Sequence, residues 1–253
     1  MFKVLIALQG ILNENTYKCA LTFKDIIFSE DYKVEIVFLA WKNSIKIKED
    51  NQIEIIYLDD PSSIAAKDNK SFINLNRQIR TTAFLLERFT NKYDYILKIR
   101  SDIMVIDSNK FKKEFIKVLN IPKVWILNVP TFSPRILKPI SLGYHFSDWL
   151  IGGTPNRLND FLKLEEIDES KLIENTPLYY KNNIFWRKAQ NEQLIWSTGW
   201  QKNNNNEKSK IFNNQIQENS LQNSFKSAKY LNRNFYISPF LLSGLKSIKH
   251  LHN

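Results

Sequence analysis

Runs rich in β-branched and aromatic residues alternate with helical patterns through the first half of this chain, and that alternation restricts it to layered α/β folds. Phe2–Leu8, Val34–Ala40, Gln52–Leu58 and Tyr93–Ile99 read as strands. Thr16–Ser29 and Ser71–Phe89 read as helices between them. In the second helix Ile79, Ala83, Leu86 and Phe89 recur at helical spacing, and Asn91 stands where helix stops are common. The expectation is one Rossmann-type α/β domain with a mixed, mainly parallel central sheet.

The second half is less regular. Pro130, Pro134 and Pro139 exclude a long helix or a central strand around them, so Ile121–Pro139 reads as a strand followed by a connecting loop. Phe146–Ile151 reads as a short strand, Arg157–Leu164 as a helix and Ile184–Ser197 as a further helix. Asn203–Asn206 and the polar residues after them read as a mobile excursion. Phe235–Phe240 returns to strand-like composition, so residues 1–200 are expected to form the main body and 201–253 a basic segment that rejoins it.

With 253 residues, 43% of them hydrophobic, the chain can bury a full core. Its single cysteine, Cys19, excludes an intrachain disulfide framework and a cysteine zinc cluster and suits a reducing compartment. The apolar run at Phe2–Leu8 is too short for a signal-peptide core, and no uncharged stretch approaches the length of a membrane span. A cytoplasmic protein with at most peripheral membrane contact is the expectation. The net charge of +10 favours an anionic partner, and the last 53 residues hold eight Lys/Arg against two Glu.

Familiar catalytic signatures are missing: the sequence contains no GxGxxG, P-loop, GxSxG or HExxH pattern, and His145, His250 and His252 form no metal constellation. Polar residues at the ends of the predicted strands are more informative. Gln9-Gly10 follows the first strand, where a glycine lets backbone approach a ligand; an ordinary turn is the alternative. Asn76, Arg77 and Arg80 make a cationic stripe on one helix face, with no acid before Glu87, and suit a diphosphate clamp or a solvated face.

Tyr93–Ile99 ends in Lys98, Arg100, Ser101 and Asp102, a change of polarity that suits a site, with a surface salt bridge to Asp102 as the alternative. Asp148 beside Trp149 pairs a carboxylate with a flat apolar ring, and Gly152-Gly153 reads as a tight turn. Glu192 stands among aromatics, where it is either a site acid or a solvent-facing residue.

Taken in order, these segments resemble the WavE lipopolysaccharide-synthesis family from about Val4 to Gln193. The resemblance rests on Gln9-Gly10, Ala40-Trp41, Asp60-Pro61, the Asn-x-Asn-Arg-Gln-Ile motif at Asn74–Ile79, Lys-x-Arg-Ser-Asp at Lys98–Asp102, Ser-Asp-Trp at Ser147–Trp149 and Glu192-Gln193. It implies a GT-A-like glycosyltransferase that builds lipopolysaccharide or capsule from a nucleotide-sugar donor and a lipid-linked acceptor. The usual Asp-x-Asp of many such enzymes is reduced here to Ser101-Asp102.

That resemblance implies donor binding by Gln9, Gly10, Asn76, Arg77, Arg80, Lys98, Arg100 and Asp102, with Asp102 holding Mg²⁺ or Mn²⁺ if a metal is used. Trp149 and Gly152 would hold the acceptor sugar, and Asp148 or, second, Glu192 would take the acceptor proton. Two rival readings remain: transfer of a phospho-sugar or phospho-alditol, which would release a nucleoside monophosphate, and a non-catalytic polyanion- or glycan-binding protein. At the chain end Leu241, Leu245 and Ile248 would form an apolar stripe beside Lys246, Lys249 and His250 if helical, suited either to an anionic membrane or to docking on the domain.

Overall fold

Strand β1 (Phe2–Gln9) is apolar at almost every position and buried on both faces, which is what a central parallel strand requires. In the computed structural model, which describes residues 1–24, 26, 28–47, 53–62, 64–65, 72–73, 75–128, 149–164, 166, 178–181, 184–187, 233–239 and 243–248, the other elements are arranged around it. They are α1 (Glu14–Lys24), β2 (Tyr32–Trp41), β3 (Glu54–Leu58), β4 (Ile64–Ala65), β5 (Phe72–Ile73), α2 (Leu75–Phe89), β6 (Tyr95–Arg100), β7 (Ile103–Val105) and α3 (Ser108–Leu119). There follow β8 (Val124–Asn128), β9 (Leu150–Gly153), α4 (Pro155–Leu162), β10 (Leu178–Lys181), β11 (Ile184–Arg187), β12 (Phe235–Pro239) and β13 (Leu245–Ser247).

Seven strands form the main sheet in the order β12-β8-β9-β6-β1-β2-β3. β1 pairs in parallel with β2 and β6, β2 with β3, and β12 with β8, whereas β9 runs antiparallel between β6 and β8. The mixed, mostly parallel sheet read from the sequence is therefore the one observed, and the chain after residue 200 does supply an edge strand, β12.

Alternating side chains of β1 divide the core. Val4, Ile6 and Leu8 pack with Tyr17, Ala20 and Phe23 of α1 and Phe111, Phe115 and Val118 of α3, while Leu5 and Ala7 pack with Ile79, Leu86 and Phe89 of α2 and Leu158 and Phe161 of α4. Burial of each apolar side chain contributes about 1.5–3 kcal/mol, so these two faces account for the sheet's central position.

Several local expectations need correction. Helix α3 was not anticipated, although Phe111, Phe115 and Val118 recur at its buried face and Asp107 caps it by accepting a hydrogen bond from the Lys110 amide. Ile184–Arg187 is a strand rather than the start of a helix, because its Ile-Phe-Trp run finds an antiparallel partner in β10. Gly152 and Gly153 lie inside β9 rather than in a tight turn.

The helical reading of the chain end also fails where it can be seen. Leu245–Ser247 pairs antiparallel with β7 and Leu245 is buried, so these residues dock on the domain. Asn203–Asn206, Phe240–Leu242, Lys249 and His250 lie outside the described residues. Among the described residues, no helix is long and apolar enough to cross a membrane.

Candidate functional site

Parallel strands bring their carboxyl ends to one edge of a sheet, and open α/β sheets bind ligands there. Here β1, β2, β3 and β6 end side by side, with Gln9 paired in register to Arg100 and Trp41 to Leu58. The polar residues that follow, Gly10, Asp59, Asp60, Ser101 and Asp102, therefore share one edge, which the first turns of α2 flank with Asn76, Arg77, Arg80 and Thr81.

Gln9 and Lys98 face α2. The Thr81 hydroxyl donates to Gln9 Oε1, and the Lys98 ammonium donates to Thr82 Oγ1 at 2.7 Å. Lys98 is only 4% exposed and sits beside the apolar chains of Leu85, Leu86, Ile151 and Leu158, beneath the edge rather than on it. That position removes it from the expected diphosphate clamp and makes it a buried polar strut between sheet and helix. Gln9 and Asn76 are buried too.

Arg77 and Arg80 of α2 are paired through tertiary contacts. Arg77 donates from Nε and Nη2 to Asp60 at 2.7 and 2.5 Å, and its guanidinium stands 6.0 Å from the centre of the Trp41 ring. Asp60 also accepts from Asn43 Nδ2 and the Ser62 amide. The Arg77 hydrogen bonds, against an opposing cost of burial, hold the Asp60 carboxyl below its usual range. Arg80 donates to both oxygens of Glu166 at 2.5 and 2.6 Å and to the Asp59 carbonyl at 2.8 Å. The absence of a nearby acid in the sequence was thus no guide, since the partners come from the loop after β3 and the segment after α4.

A second guanidinium–indole–carboxylate group lies across the edge. Arg100 holds Asp102 through two hydrogen bonds of 2.9 and 2.8 Å and lies 5.1 Å from the centre of the Trp149 ring. Ser247 Oγ donates to Asp102 Oδ2 at 2.7 Å, and the Ile248 amide donates to the Asp102 carbonyl. The salt-bridge alternative for Asp102 is the arrangement found, with the side chain 8% exposed rather than on the surface.

Both Asp102 carboxylate oxygens are engaged by protein donors, and among the described residues no group of three His, Cys, Asp or Glu could hold a metal ion. The described residues therefore do not fit a Mg²⁺ or Mn²⁺ site at Asp102. Trp149 is 8% exposed and covers Arg100, so it does not present an open face for a sugar.

Gly10 and Gly152 have different reasons. At Gly10 φ is +143°, and an added Cβ would stand 2.3 Å from Ser101 Oγ, so the tight approach at the end of β1 needs glycine. At Gly152 an added Cβ would meet Leu97 Cδ1 and the Tyr95 hydroxyl, both at 2.9 Å, which makes it a packing residue rather than a sugar contact. Asn74, Asp148 and Glu192 lie outside the described residues.

Sequence reasoning left Thr81, Glu166 and Ser247 out of the site. Asp60 and Trp41 did belong to quoted motifs, but nothing in their spacing linked them to Arg77. The fold and its edge define an α/β protein with a Rossmann-like sheet and two stacked guanidinium–carboxylate pairs at the strand ends. No family model matches the chain, and no curated protein matches it in sequence.

Proposed function

We propose that this chain is a GT-A-like glycosyltransferase of the WavE type, moving a sugar from a nucleoside-diphosphate donor to a lipid-linked glycan in the cytoplasm during lipopolysaccharide or capsule synthesis. The observation that carries the reading is the strand order. Counted within the main sheet alone, the strands run 3-2-1-4-6-5-7 with only the sixth reversed, an order that suits a GT-A-like sheet. This is fold-level analogy, and the cationic residues at the strand ends add the chemistry.

In this reading the donor diphosphate lies along the edge between Gly10 and the first turns of α2. The turn at Gly10, closed against Ser101, ends β1 beside it, and Arg77 and Arg80 neutralise the charge that develops on the leaving nucleoside diphosphate. Each arginine is already oriented by a carboxylate, so donor binding exchanges a carboxylate for phosphate oxygens of similar geometry. Arg80 is the readier of the two, because its pair with Glu166 is more exposed than the Arg77–Asp60 pair. Arg100 and Asp102 hold the end of β6 in shape, and the acceptor proton passes to Asp148 or Glu192.

A thermal-shift series with nucleoside diphosphates and nucleotide-sugars tests the proposal. A ligand that binds only the folded chain at a hundred times its Kd stabilises it by about 2.7 kcal/mol, so one base and sugar are expected to raise the melting temperature by a few degrees. An unmoved melting temperature across the whole series would remove the donor site. Release of nucleoside monophosphate on turnover would select phospho-sugar transfer instead.

A further inference from the structure

From the geometry of β7, β13 and α3 we infer that the chain carries an interfacial docking patch for an anionic lipid surface, built around exposed Ile106 and the lysines Lys110, Lys113, Lys117 and Lys246. The patch begins where β7 leaves the sheet edge. Lys246 of β13 lies opposite Met104 of β7 in the antiparallel register, so both project from the outer face of this small ribbon while Leu245, Ser247, Ile103 and Val105 turn inward. Ile106 follows directly and is 59% exposed, with its amide bound to the Gly244 carbonyl of the same ribbon. Lys110 completes the junction, its Cβ lying 3.2 Å from the position a Cβ would take on Gly244.

Helix α3 extends the basic surface. Its buried face is Phe111, Phe115 and Val118, so Lys113 and Lys117 lie on the outer side, with the Lys117 side chain 58% exposed. Two acids offset that face only in part. Asp107 caps the helix and lies 3.3 Å from the Lys110 ammonium, and buried Glu114 accepts hydrogen bonds from Tyr236 and Ser238 and lies 3.9 Å from the Lys117 ammonium, so four lysines face two carboxylates.

Charge alone would suit any polyanion; the apolar members select the occupant. An exposed isoleucine beside a half-buried methionine gains from insertion below lipid headgroups, where lysine stems can reach back to phosphate, and gains nothing from a hydrated nucleic-acid backbone. Location supports the same choice. Ser247 and Ile248 bond Asp102, so the patch adjoins the carboxyl edge of the sheet and docking would hold that edge near the membrane.

The test is co-sedimentation of the intact chain with phosphatidylcholine vesicles and with vesicles that also contain phosphatidylglycerol, at low and high salt. Binding is expected only to the anionic vesicles, with release by salt. The triple variant Lys110→Glu, Lys113→Glu, Lys246→Glu is expected to lose at least about tenfold in partitioning, since each lysine close to an anionic leaflet contributes about fivefold. Ile106→Ser, which alters no charge, is expected to weaken binding to these vesicles and to leave binding to single-stranded RNA unchanged.

The control is Arg88→Glu, Lys92→Glu, Lys163→Glu, the same change in net charge at exposed positions of the α2–α4 layer. Thermal melts establish that each variant is folded. No binding by the wild type, equal losses in the two triple variants, or an Ile106→Ser chain that binds vesicles as the wild type does would each overturn the inference. The last result together with tight RNA binding would mark the lysines as a general polyanion contact. None of these outcomes depends on whether the donor site is as proposed.

Discussion

Gly10 and Ser101 meet so closely across the ends of β1 and β6 that a Cβ on Gly10 would fall 2.3 Å from the Ser101 hydroxyl oxygen. The Ser101 amide also donates to the Gln9 carbonyl at 2.8 Å, which fixes both turns in place. Gly10→Ala is expected to lower stability by about 2–4 kcal/mol, from strain at positive φ together with the collision. Adding Ser101→Ala should recover only part of the loss, because the strain persists. Denaturant unfolding of the wild type and the two variants measures this, and a Gly10→Ala chain as stable as wild type would show that the edge relaxes freely.

The pair at the end of β6 makes a prediction about stability where the sequence suggested one about metal binding. Asp102→Ala removes the carboxylate facing a largely buried guanidinium and is expected to cost about 3 kcal/mol. Placing Arg100→Met in the same chain should recover part of that cost, since the thioether chain retains contact with Trp149 without a charge. A loss below about 0.5 kcal/mol for Asp102→Ala would contradict the structural role.

Arg77 gives the stability a defined dependence on acid. Its hydrogen bonds hold the Asp60 carboxyl below the ordinary value, so the folded chain keeps Asp60 ionised at pH values where the unfolded chain protonates it. The resulting stabilisation is complete above the unfolded value, near pH 4, and is lost as the pH falls through the folded one. Urea midpoints measured from neutral pH downward should decline less steeply in Asp60→Asn than in wild type. Parallel curves would sink the assignment.

Glu166 competes with the proposed donor for Arg80. Glu166→Gln is expected to tighten nucleoside-diphosphate binding by about two- to fivefold, the scale of an exposed ion pair. The gain should vanish in an Arg80→Ala background if it acts through that guanidinium, and should persist if it reflects only the lost negative charge. A calorimetric titration of the four chains separates these outcomes.

Cys19 should be chemically silent in the folded chain. Burial first, and the nearby Asp102 charge second, push its thiol up to about 11, which leaves little thiolate at neutral pH. Iodoacetamide at pH 8 is expected to label it only after denaturant is added, as read by intact mass. Rapid labelling of the native chain would show that the α1 face opens readily.

Much of the sheet was legible from short stretches of sequence. Val4–Leu8 is continuously apolar and Tyr95–Ile99 is broken only by Lys98, and such runs have few stable places other than the middle of a parallel sheet. Helix α2 was legible for the same local reason, although its start moved from Ser71 to Leu75 because Phe72–Ile73 pairs with β4. In α3 Phe111, Phe115 and Val118 do recur at helical spacing, whereas in β11 a short apolar run had no local feature to distinguish helix from strand.

What the sequence determined by itself was whatever depends on neighbours along the chain: the alternation of strands and helices, the polar change after Ile99, and the glycine at the end of β1. Tertiary structure alone decided how those polar groups are used. Arg80 and Glu166 are 86 residues apart, and Ser247 reaches Asp102 across 145. Arg77, read as an uncompensated cation, meets Asp60 only because β3 is laid beside β2 and α2 crosses above their ends. A charge's partners follow from which strand ends the sheet order sets side by side, and that order is selected by burial of the whole apolar core rather than by the few residues that then find one another at its edge.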